Sequence, residues 1–350
     1  MTLSLEPADL ELVRGLVSIP SVSRDEGRAV AFLVERMRER GFLAHVDEAG
    51  NAVGEIGDGP AHVVLLGHID TVPGEIPVRI DDGELVGRGA VDAKGPLAAF
   101  VSAAATRVPG VKVTVVGAVE EESPTSKGAR HRALHPAPDW CVVGEPSGWD
   151  GVTVAYKGRL VADLALERTA RHGAAPGATV SEDLLAVWER VRGAARARGG
   201  DRAFDRLDCR LEGMWSESDG LAERARLCVG YRIPPGSTVA DVERELRGAA
   251  EGAVVTRVAS EEPARTERTS SLARAFVRAI GDAGGKATFL HKSGTSDMNV
   301  LAPVWGCPMV AYGPGDSAYD HTPMERLRLE DHARAIAVLR GVLRRASVLL

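Results

Sequence analysis

A chain of 350 residues, of which 44% are hydrophobic and 26% charged, is long enough for one large globular domain or two smaller ones. No apolar run approaches the roughly 20 residues that a membrane-spanning helix needs, so we expect no membrane segment. The first residues, MTLSLEPADLE, carry acidic side chains where a secretory signal is basic and then apolar, which favours a cytoplasmic location.

Charge and cysteine usage narrow the class of protein further. The formal net charge is −6, from 43 basic and 49 acidic residues, and no cationic stretch is long enough to follow a phosphate backbone. We therefore expect no nucleic-acid partner. The four cysteines include no CxxC pair, which indicates free thiols rather than a disulfide framework or a cysteine-ligated zinc site.

The first part of the chain alternates helical and strand patterns. Apolar residues on one helical face predict a helix over 25–40 that ends before Gly41. Short continuous runs rich in β-branched residues predict buried strands at 63–67, 111–119 and 140–144. Helical segments between these runs create a βαβ rhythm, which predicts an α/β fold with a mixed, mostly parallel sheet covered by helices.

The order of predicted strands and helices changes in the middle of the chain. Over residues 152–262 the predicted order is strand, helix, strand, strand, helix, strand, which is the split βαβ layout of a ferredoxin-like α+β domain. The first rhythm returns towards the end of the sequence. We therefore expect a discontinuous larger domain of residues 1–153 and 266–350, with a smaller domain of residues 154–265 inserted into it.

Acidic and histidine side chains cluster where the predicted strands end. They are His68, Asp70, Asp92, Glu120, Glu121, Glu122, Glu145 and His321. We expect them to converge, because the carboxyl ends of parallel strands meet at one edge of a sheet. So many carboxylates would raise one another's pKa unless cations neutralised them. Imidazole and carboxylate ligands without cysteine indicate an open catalytic site for two divalent ions, zinc first and cobalt or manganese as substitutes.

Six motifs in order span nearly the whole chain and resemble those of a known family. They are HIDTVPG at 68–74, GRGAVDAKG at 87–95, EEE at 120–122, GEPS at 144–147, SGTSDMN at 293–299 and DHTPME at 320–325. The family is that of the co-catalytic zinc metallopeptidases, which includes aminoacylases, acetylornithine deacetylase and succinyl-diaminopimelate desuccinylase. Longer stretches, among them LLGHIDTVPG and PMVAYGPGD, are similar to the branch that releases lysine or ornithine from an amino-group carrier protein.

The resemblance implies a set of metal ligands. His68, Asp92 and Glu145 would hold one ion. Asp92, Glu122 and His321 would hold the other ion, so that Asp92 bridges the two. The resemblance also assigns the larger domain to catalysis and metal binding, and the inserted domain to a lid and dimer interface.

The same resemblance implies the residues that handle protons. Asp70 would accept the second ring N–H of His68 and thereby hold the imidazole in one tautomer. Glu121 would be the general base, taking a proton from the bridging water and passing it to the leaving amine. Glu120 stays open as an alternative base, because the register within three identical residues is ambiguous.

Further residues would bind the substrate. His172 matches a family histidine that stabilises the tetrahedral oxyanion, often across a dimer interface, although Gly173 stands where relatives commonly have serine. Arg232 matches an arginine that binds the substrate α-carboxylate. Additional hydrogen-bond donors would come from Ser293, Gly294 and Thr295.

The implied function is hydrolysis of the amide between the α-amino group of lysine, or ornithine, and the γ-carboxyl of the carrier protein's C-terminal glutamate, in lysine or arginine biosynthesis. The implied partners are this small acidic carrier and a second copy of the chain, forming a homodimer. Four basic residues of the inserted domain are expected to dock the carrier, namely Lys157, Arg159, Arg168 and Arg171.

Two alternatives stay open from the sequence. An N-acyl amino-acid deacylase or a dipeptidase would share the metal chemistry and differ only at the substrate end. A non-catalytic protein that binds a metal ion or an amino acid is a third function, from a different class. Glu121 weighs against it, because a pure binder has little need of a base beside the ligand Glu122.

Overall fold

The computed structural model describes residues 5–350. The helices in this range are α1 (Pro7–Val17), α2 (Gly27–Glu39), α3 (Lys94–Ala104), α4 (Lys127–Arg132), α5 (Val180–Ala197), α6 (Val239–Ala249), α7 (Ser271–Asp282), α8 (Asp297–Trp305) and α9 (Leu329–Leu349). None of these helices is both long enough and apolar enough to cross a membrane.

The strands in the same range are β1 (Leu43–Val46), β2 (Ala52–Ile56), β3 (Ala61–His68), β4 (Arg79–Asp81), β5 (Glu84–Val86), β6 (Val111–Ala118), β7 (Trp140–Gly144), β8 (Gly151–Tyr156), β9 (Gly158–Thr169), β10 (Asp208–Ser218), β11 (Ala222–Ile233), β12 (Val254–Glu261), β13 (Ala264–Arg265), β14 (Thr288–Lys292), β15 (Met309–Ala311) and β16 (Arg326–Arg328).

The main sheet has the order β1-β2-β6-β3-β7-β15-β8-β13, with β14 beside β8. Strand β3 pairs in parallel with β6 and β7, and β7 pairs in parallel with β15. The outer pairs are antiparallel. Strand β7 is buried throughout, and β3 and β6 each have one partly exposed position, as expected for strands covered on both faces. The predicted mixed, mostly parallel sheet is confirmed.

Helix α3 lies in the middle of the core and positions part of the site. All of its residues are buried, and it packs against β3 and β6 of the sheet as well as against α1 and α9. Its first residue comes two positions after Asp92. Because the helix is surrounded by packed side chains, the loop that carries Asp92 has one fixed end.

The described chain divides into two compact units. The first contains the residues up to Val154 together with Thr266–His291 and Ser296–Leu350, and the second contains Ala155–Arg265 and Lys292–Thr295. Residues 292–295, expected from the sequence in the larger domain, therefore cluster with the second unit.

The second unit contains an antiparallel sheet of order β10-β11-β9-β12, against which α5 and α6 pack. Its chain order is strand, helix, strand, strand, helix, strand, as in the split βαβ layout. Both helices begin with a capping box, at Thr179 with Glu182 and at Thr238 with Asp241, in which side chain and backbone satisfy each other's hydrogen bonds.

Candidate metal centre

Two histidines meet one aspartate at the carboxyl end of the parallel strands. The Nε2 atom of His68, the last residue of β3, lies 3.0 Å from Oδ1 of Asp92. The Nε2 atom of His321 lies 3.0 Å from the other oxygen, Oδ2, of the same carboxylate. His321 also lies 2.8 Å from Oε1 of Glu122. The side chain of His321 is 52% exposed, so the cluster is open to solvent on that side.

Two groups of side chains have ligand atoms close enough to share a cation, because within each group these atoms all lie within 4.8 Å of one another. The groups are His68, Glu121 and Glu122, and Asp92, Glu122 and His321. The second group is the set that the family resemblance implies for one ion. Within the described residues, Glu145 belongs to neither group. It is buried nearby, since its charge raises the pKa of Glu121.

The carboxylates of the cluster favour positive charge on the groups beside them. Burial lowers the pKa of His68, but its hydrogen bond to Asp92 and the charges of the surrounding carboxylates outweigh burial and raise the pKa of His68 well above its usual value. Hydrogen bonds to Asp92 and Glu122 raise the pKa of His321 to about 10. Bound divalent cations would also supply this positive charge. The imidazoles would then be neutral, and their Nε2 atoms could act as metal ligands.

The donor set therefore fits a metal centre. Imidazole nitrogens and carboxylate oxygens are ligands that Zn²⁺ and Co²⁺ accept, and no cysteine is among them. The Nδ1 atom of His68 lies 2.9 Å from the carbonyl oxygen of Asp70. A proton on Nδ1 donated to that carbonyl leaves Nε2 unprotonated and facing the carboxylates, which is the arrangement of a metal-ligating histidine.

Asp70 holds the segment that carries the glutamates. Its buried carboxylate accepts the backbone N–H of Glu121 at 3.0 Å through Oδ1 and that of Glu122 at 3.0 Å through Oδ2. The Ser23 hydroxyl also donates to Oδ2, at 2.7 Å. The prediction that this carboxylate accepts the ring N–H of His68 is corrected, because Oδ1 lies 3.7 Å from Nδ1 and the Asp70 carbonyl is closer.

Neighbouring glutamates in this segment have different surroundings. Glu120 has a φ of 61°, and its carboxylate accepts the Thr125 hydroxyl at 2.6 Å. The same carboxylate lies 3.8 Å from Arg24 and 3.9 Å from Lys127. Glu121 instead belongs to the metal-ligand cluster, and burial raises its pKa well above the usual value. The side chain of Glu120 therefore lies near Arg24 and Lys127, whereas that of Glu121 lies among the candidate metal ligands.

The residues expected to bind substrate belong to the second unit. His172 is exposed in the loop after β9, where its Nδ1 accepts the backbone N–H of Ala174 at 3.1 Å. Arg232 lies near the end of β11, and one of its guanidinium nitrogens is buried without a hydrogen-bond partner among the described residues. The loop between β14 and α8 contains Ser293, Gly294 and Thr295. The roles of these residues stay predictions.

Lys157 contradicts its predicted role in docking a carrier. The side chain is fully buried, and its Nζ donates to the carbonyl oxygens of Ala203 at 2.9 Å and Arg206 at 2.7 Å. It also forms an ion pair with Asp208 at 2.6 Å. A lysine in this position cannot contact a partner's surface, so the prediction for Lys157 is wrong. Sequence alone does not distinguish this buried ammonium from the exposed ones around it.

Two buried carboxylates of the site were missed from the sequence. Asp297, the first residue of α8, is 1% exposed, and neither of its oxygens has a hydrogen-bond partner within residues 5–350. Burial raises the pKa of Asp297 to about 7. Glu26 accepts the backbone N–H of Glu120 at 3.1 Å. The acidic position in SGTSDMN was a signal for Asp297, whereas Glu26 precedes a helix with no distinctive motif.

A mostly parallel sheet with this cluster at its carboxyl edge defines a metal-dependent hydrolase of the peptidase class. Residues 64–345 match the model of peptidase family M20/M25/M40, and the chain belongs to this family. It is therefore an enzyme that hydrolyses amide bonds. The family resemblance carried by the six motifs is confirmed.

Relatives with known names agree over nearly the full chain. The chain is 48% identical over 347 residues to the LysW-lysine hydrolase of Deinococcus radiodurans, which covers 96% of both chains. It is 40% identical over 336 residues to a Thermococcus kodakarensis protein that is provisionally assigned as a LysW-lysine/LysW-ornithine hydrolase, covering 95% of this chain and 91% of the relative. An M20 family metallo-carboxypeptidase from Sulfolobus solfataricus has the same fold, with a TM-score of 0.79 at 17% identity over 98% of this chain and all of the other.

Proposed function

We propose that this enzyme releases lysine, or ornithine, from the C-terminal glutamate of a small acidic amino-group carrier protein, in lysine or arginine biosynthesis. The observation that carries the chemistry is the Asp92 carboxylate, whose two oxygens each lie 3.0 Å from a different imidazole, so that each oxygen would be available to a different ion together with one histidine. The 48% identity to a LysW-lysine hydrolase, which extends over 96% of this chain, supports a loaded carrier as the substrate among the amides that such a site can cleave.

Two divalent ions, Zn²⁺ or Co²⁺, suit the residues present. His68, Asp92 and Glu145 would hold one, and Asp92, Glu122 and His321 the other. When bound, such ions polarise the scissile carbonyl and make a nearby water more acidic. The carboxylates supply the negative charge that balances two doubly charged ions, which supports two ions rather than one.

Glu121 is the proposed general base. Its carboxylate takes a proton from the attacking water and later gives this proton to the α-amino group of the departing lysine. Burial raises the pKa of Glu121, which favours a carboxyl group able to keep the proton between the two steps. Asp70 supports this role by accepting the backbone N–H of Glu121, so the base is held at its own main chain.

Several residues of the second unit are proposed to bind the substrate. The partly buried guanidinium of Arg232 is proposed to bind the α-carboxylate of the released amino acid, since a carboxylate would supply the partner that its buried nitrogen lacks within the described residues. The exposed imidazole of His172 is proposed to stabilise the oxyanion, acting across a homodimer interface. Donors near the carboxylate would come from Ser293, Gly294 and Thr295. We place the enzyme in the cytoplasm, where biosynthetic intermediates are available.

The decisive experiment is product analysis with a loaded carrier. The purified full-length chain, reconstituted with Zn²⁺ or Co²⁺, is incubated with carrier protein bearing lysine or ornithine on its C-terminal glutamate. Mass spectrometry of the products is expected to show free amino acid and unloaded carrier, with metal content measured in the same sample. No release from the carrier, together with rapid turnover of N-acetylornithine, would move the assignment to a small-molecule deacylase.

A further inference from the structure

A fully buried glutamate lies behind the metal centre and uses both of its oxygens. Glu325 is 0% exposed and directly precedes β16. Its Oε1 accepts the backbone N–H groups of Val91, at 2.9 Å, and Asp92, at 3.0 Å. Its Oε2 accepts from the guanidinium of Arg88 at 2.8 Å. Two consecutive amides and one cation therefore surround a single carboxylate.

Arg88 extends this contact to two further segments. The nitrogen that bonds Glu325 also donates to the carbonyl oxygen of Thr322, the residue after His321, at 3.2 Å. The Nε atom of Arg88 donates to the carbonyl oxygen of Gly74 at 3.0 Å. The Glu325–Arg88 pair thus joins the segment of Asp92, the segment of His321 and the loop that follows β3.

The metal centre needs such a support, because two of its members are outside helices and strands. Asp92 precedes α3, and His321 is in a loop with a φ of 60°, a left-handed conformation that is uncommon for residues other than glycine. Charge-assisted hydrogen bonds to a carboxylate are stronger than neutral ones. With side-chain exposures of 15% for Arg88 and 1% for Glu325, water screens this ion pair only weakly.

We propose that Glu325, acting through Asp92 and through Arg88, is a positioning residue for the metal centre. The backbone contact fixes Asp92 so that one oxygen faces His68 and the other faces His321. The arginine contact keeps the segment of His321 against the same support. This inference rests on the proposed function, since it takes Asp92 and His321 as metal ligands.

The test measures metal binding rather than activity. The full-length chain is freed of metal by chelation and titrated with Co²⁺, with binding followed by the visible absorption of the bound ion. In Glu325→Gln an amide NH₂ must face either the two backbone N–H donors or the guanidinium, so at least one side of the contact is lost. We expect Co²⁺ affinity to fall about 10- to 100-fold while far-UV circular dichroism stays unchanged.

Two further variants make the result interpretable. Arg88→Lys keeps the positive charge but removes the planar guanidinium, whose Nε and terminal nitrogen bond Gly74 and Glu325 at the same time, so its Co²⁺ affinity should also fall. This variant decides the matter if Glu325→Gln does not fold. The matched control is Glu84→Gln, which removes a glutamate of β5 that is paired with Arg326 at 3.5 Å and is itself partly exposed. Its Co²⁺ affinity should equal that of the wild type.

The possible failures are distinguishable. A wild-type chain that binds no Co²⁺ contradicts the proposed function, and the positioning role falls with it. A wild type that binds Co²⁺ while folded Glu325→Gln and Arg88→Lys bind it equally well overturns the positioning role alone. An equal loss of affinity in Glu84→Gln would show that the effect is general to this region, which also overturns the inference.

Discussion

The Nε2 atom of His321 lies 2.8 Å from Oε1 of Glu122, although 199 positions separate the two residues in the chain. Glu122 follows the central strand β6, and His321 belongs to the loop between β15 and β16. The contact exists because both segments end at the carboxyl edge of one sheet, where side chains from distant motifs meet. The chemistry of this enzyme is therefore built by strand order rather than by neighbouring residues.

Replacing Glu121 by Gln is expected to lower kcat about 10²- to 10⁴-fold, because an amide cannot accept the proton of the attacking water. Metal content measured by mass spectrometry should stay at the wild-type level. The matched control is Glu120→Gln, whose carboxylate contacts Thr125, Arg24 and Lys127 instead of the cluster. Its kcat should stay close to the wild-type value. A large loss in Glu120→Gln with an active Glu121→Gln would assign the base to Glu120.

Asp70→Asn tests the support of the glutamate segment. Each Asp70 oxygen accepts a backbone N–H, so an amide NH₂ at either position meets a donor and loses that hydrogen bond. We expect kcat to fall about 10- to 100-fold with KM little changed, as for other groups that orient metal ligands and bases. Steady-state kinetics of Ser23→Ala, which removes only the hydroxyl contact to Oδ2, should show a smaller loss. Equal losses in both variants would argue against the backbone contacts as the cause.

Arg232→Lys tests substrate recognition. Lysine keeps the charge but cannot form the two parallel hydrogen bonds of a guanidinium to a carboxylate. We expect KM for the loaded carrier to rise about tenfold, equivalent to about 1.4 kcal/mol, with kcat largely retained. Arg226→Lys is the control on the same strand, since Arg226 lies 3.5 Å from Asp163 and 4.4 Å from the ring of Trp215. A change in KM for the control but not for Arg232→Lys would refute the assignment.

His332 makes the stability of the first unit sensitive to acid. It is fully buried on α9, its ring nitrogens have no hydrogen-bond partner among the described residues, and burial lowers its pKa to about 4. The unfolded chain, with a histidine pKa of about 6.5, binds this proton first as pH falls. The contribution of neutral His332 is therefore complete above about pH 6.5 and is lost progressively down to about pH 4.

The measurement compares urea unfolding of the wild type and His332→Leu at two pH values. At pH 5 the wild type should lose about 2 kcal/mol of unfolding free energy through this histidine relative to pH 7, and the leucine variant should lack that part of the loss. Other titrating groups act equally in both proteins, so the difference between them isolates His332. An identical pH dependence in both proteins would show that another group is responsible.

Sequence patterns were sufficient to predict the main helices and strands and most of the residues at the metal centre. The β-branched run at 63–67 became β3, and the apolar helical face over 25–40 became α2, because such patterns are encoded within a few neighbouring residues. The order of strands and helices also indicated which motifs end at the same sheet edge. His68, Asp92, Glu122 and His321 could therefore be grouped before any distance was known.

Tertiary structure alone decided which partner each side chain has. Asp70 was expected to bind the ring of His68. Its carboxylate instead accepts the backbone N–H groups of Glu121 and Glu122, which are 51 and 52 positions further along the chain. Lys157 was expected at the surface and is buried. The hydrogen bond between Glu325 and the backbone of Asp92 spans 233 positions, and the motif DHTPME that contains Glu325 does not indicate this partner. Such contacts form because packed elements bring backbone groups together that are distant in the chain. The periodicity and residue types of one segment do not indicate which distant groups it will contact.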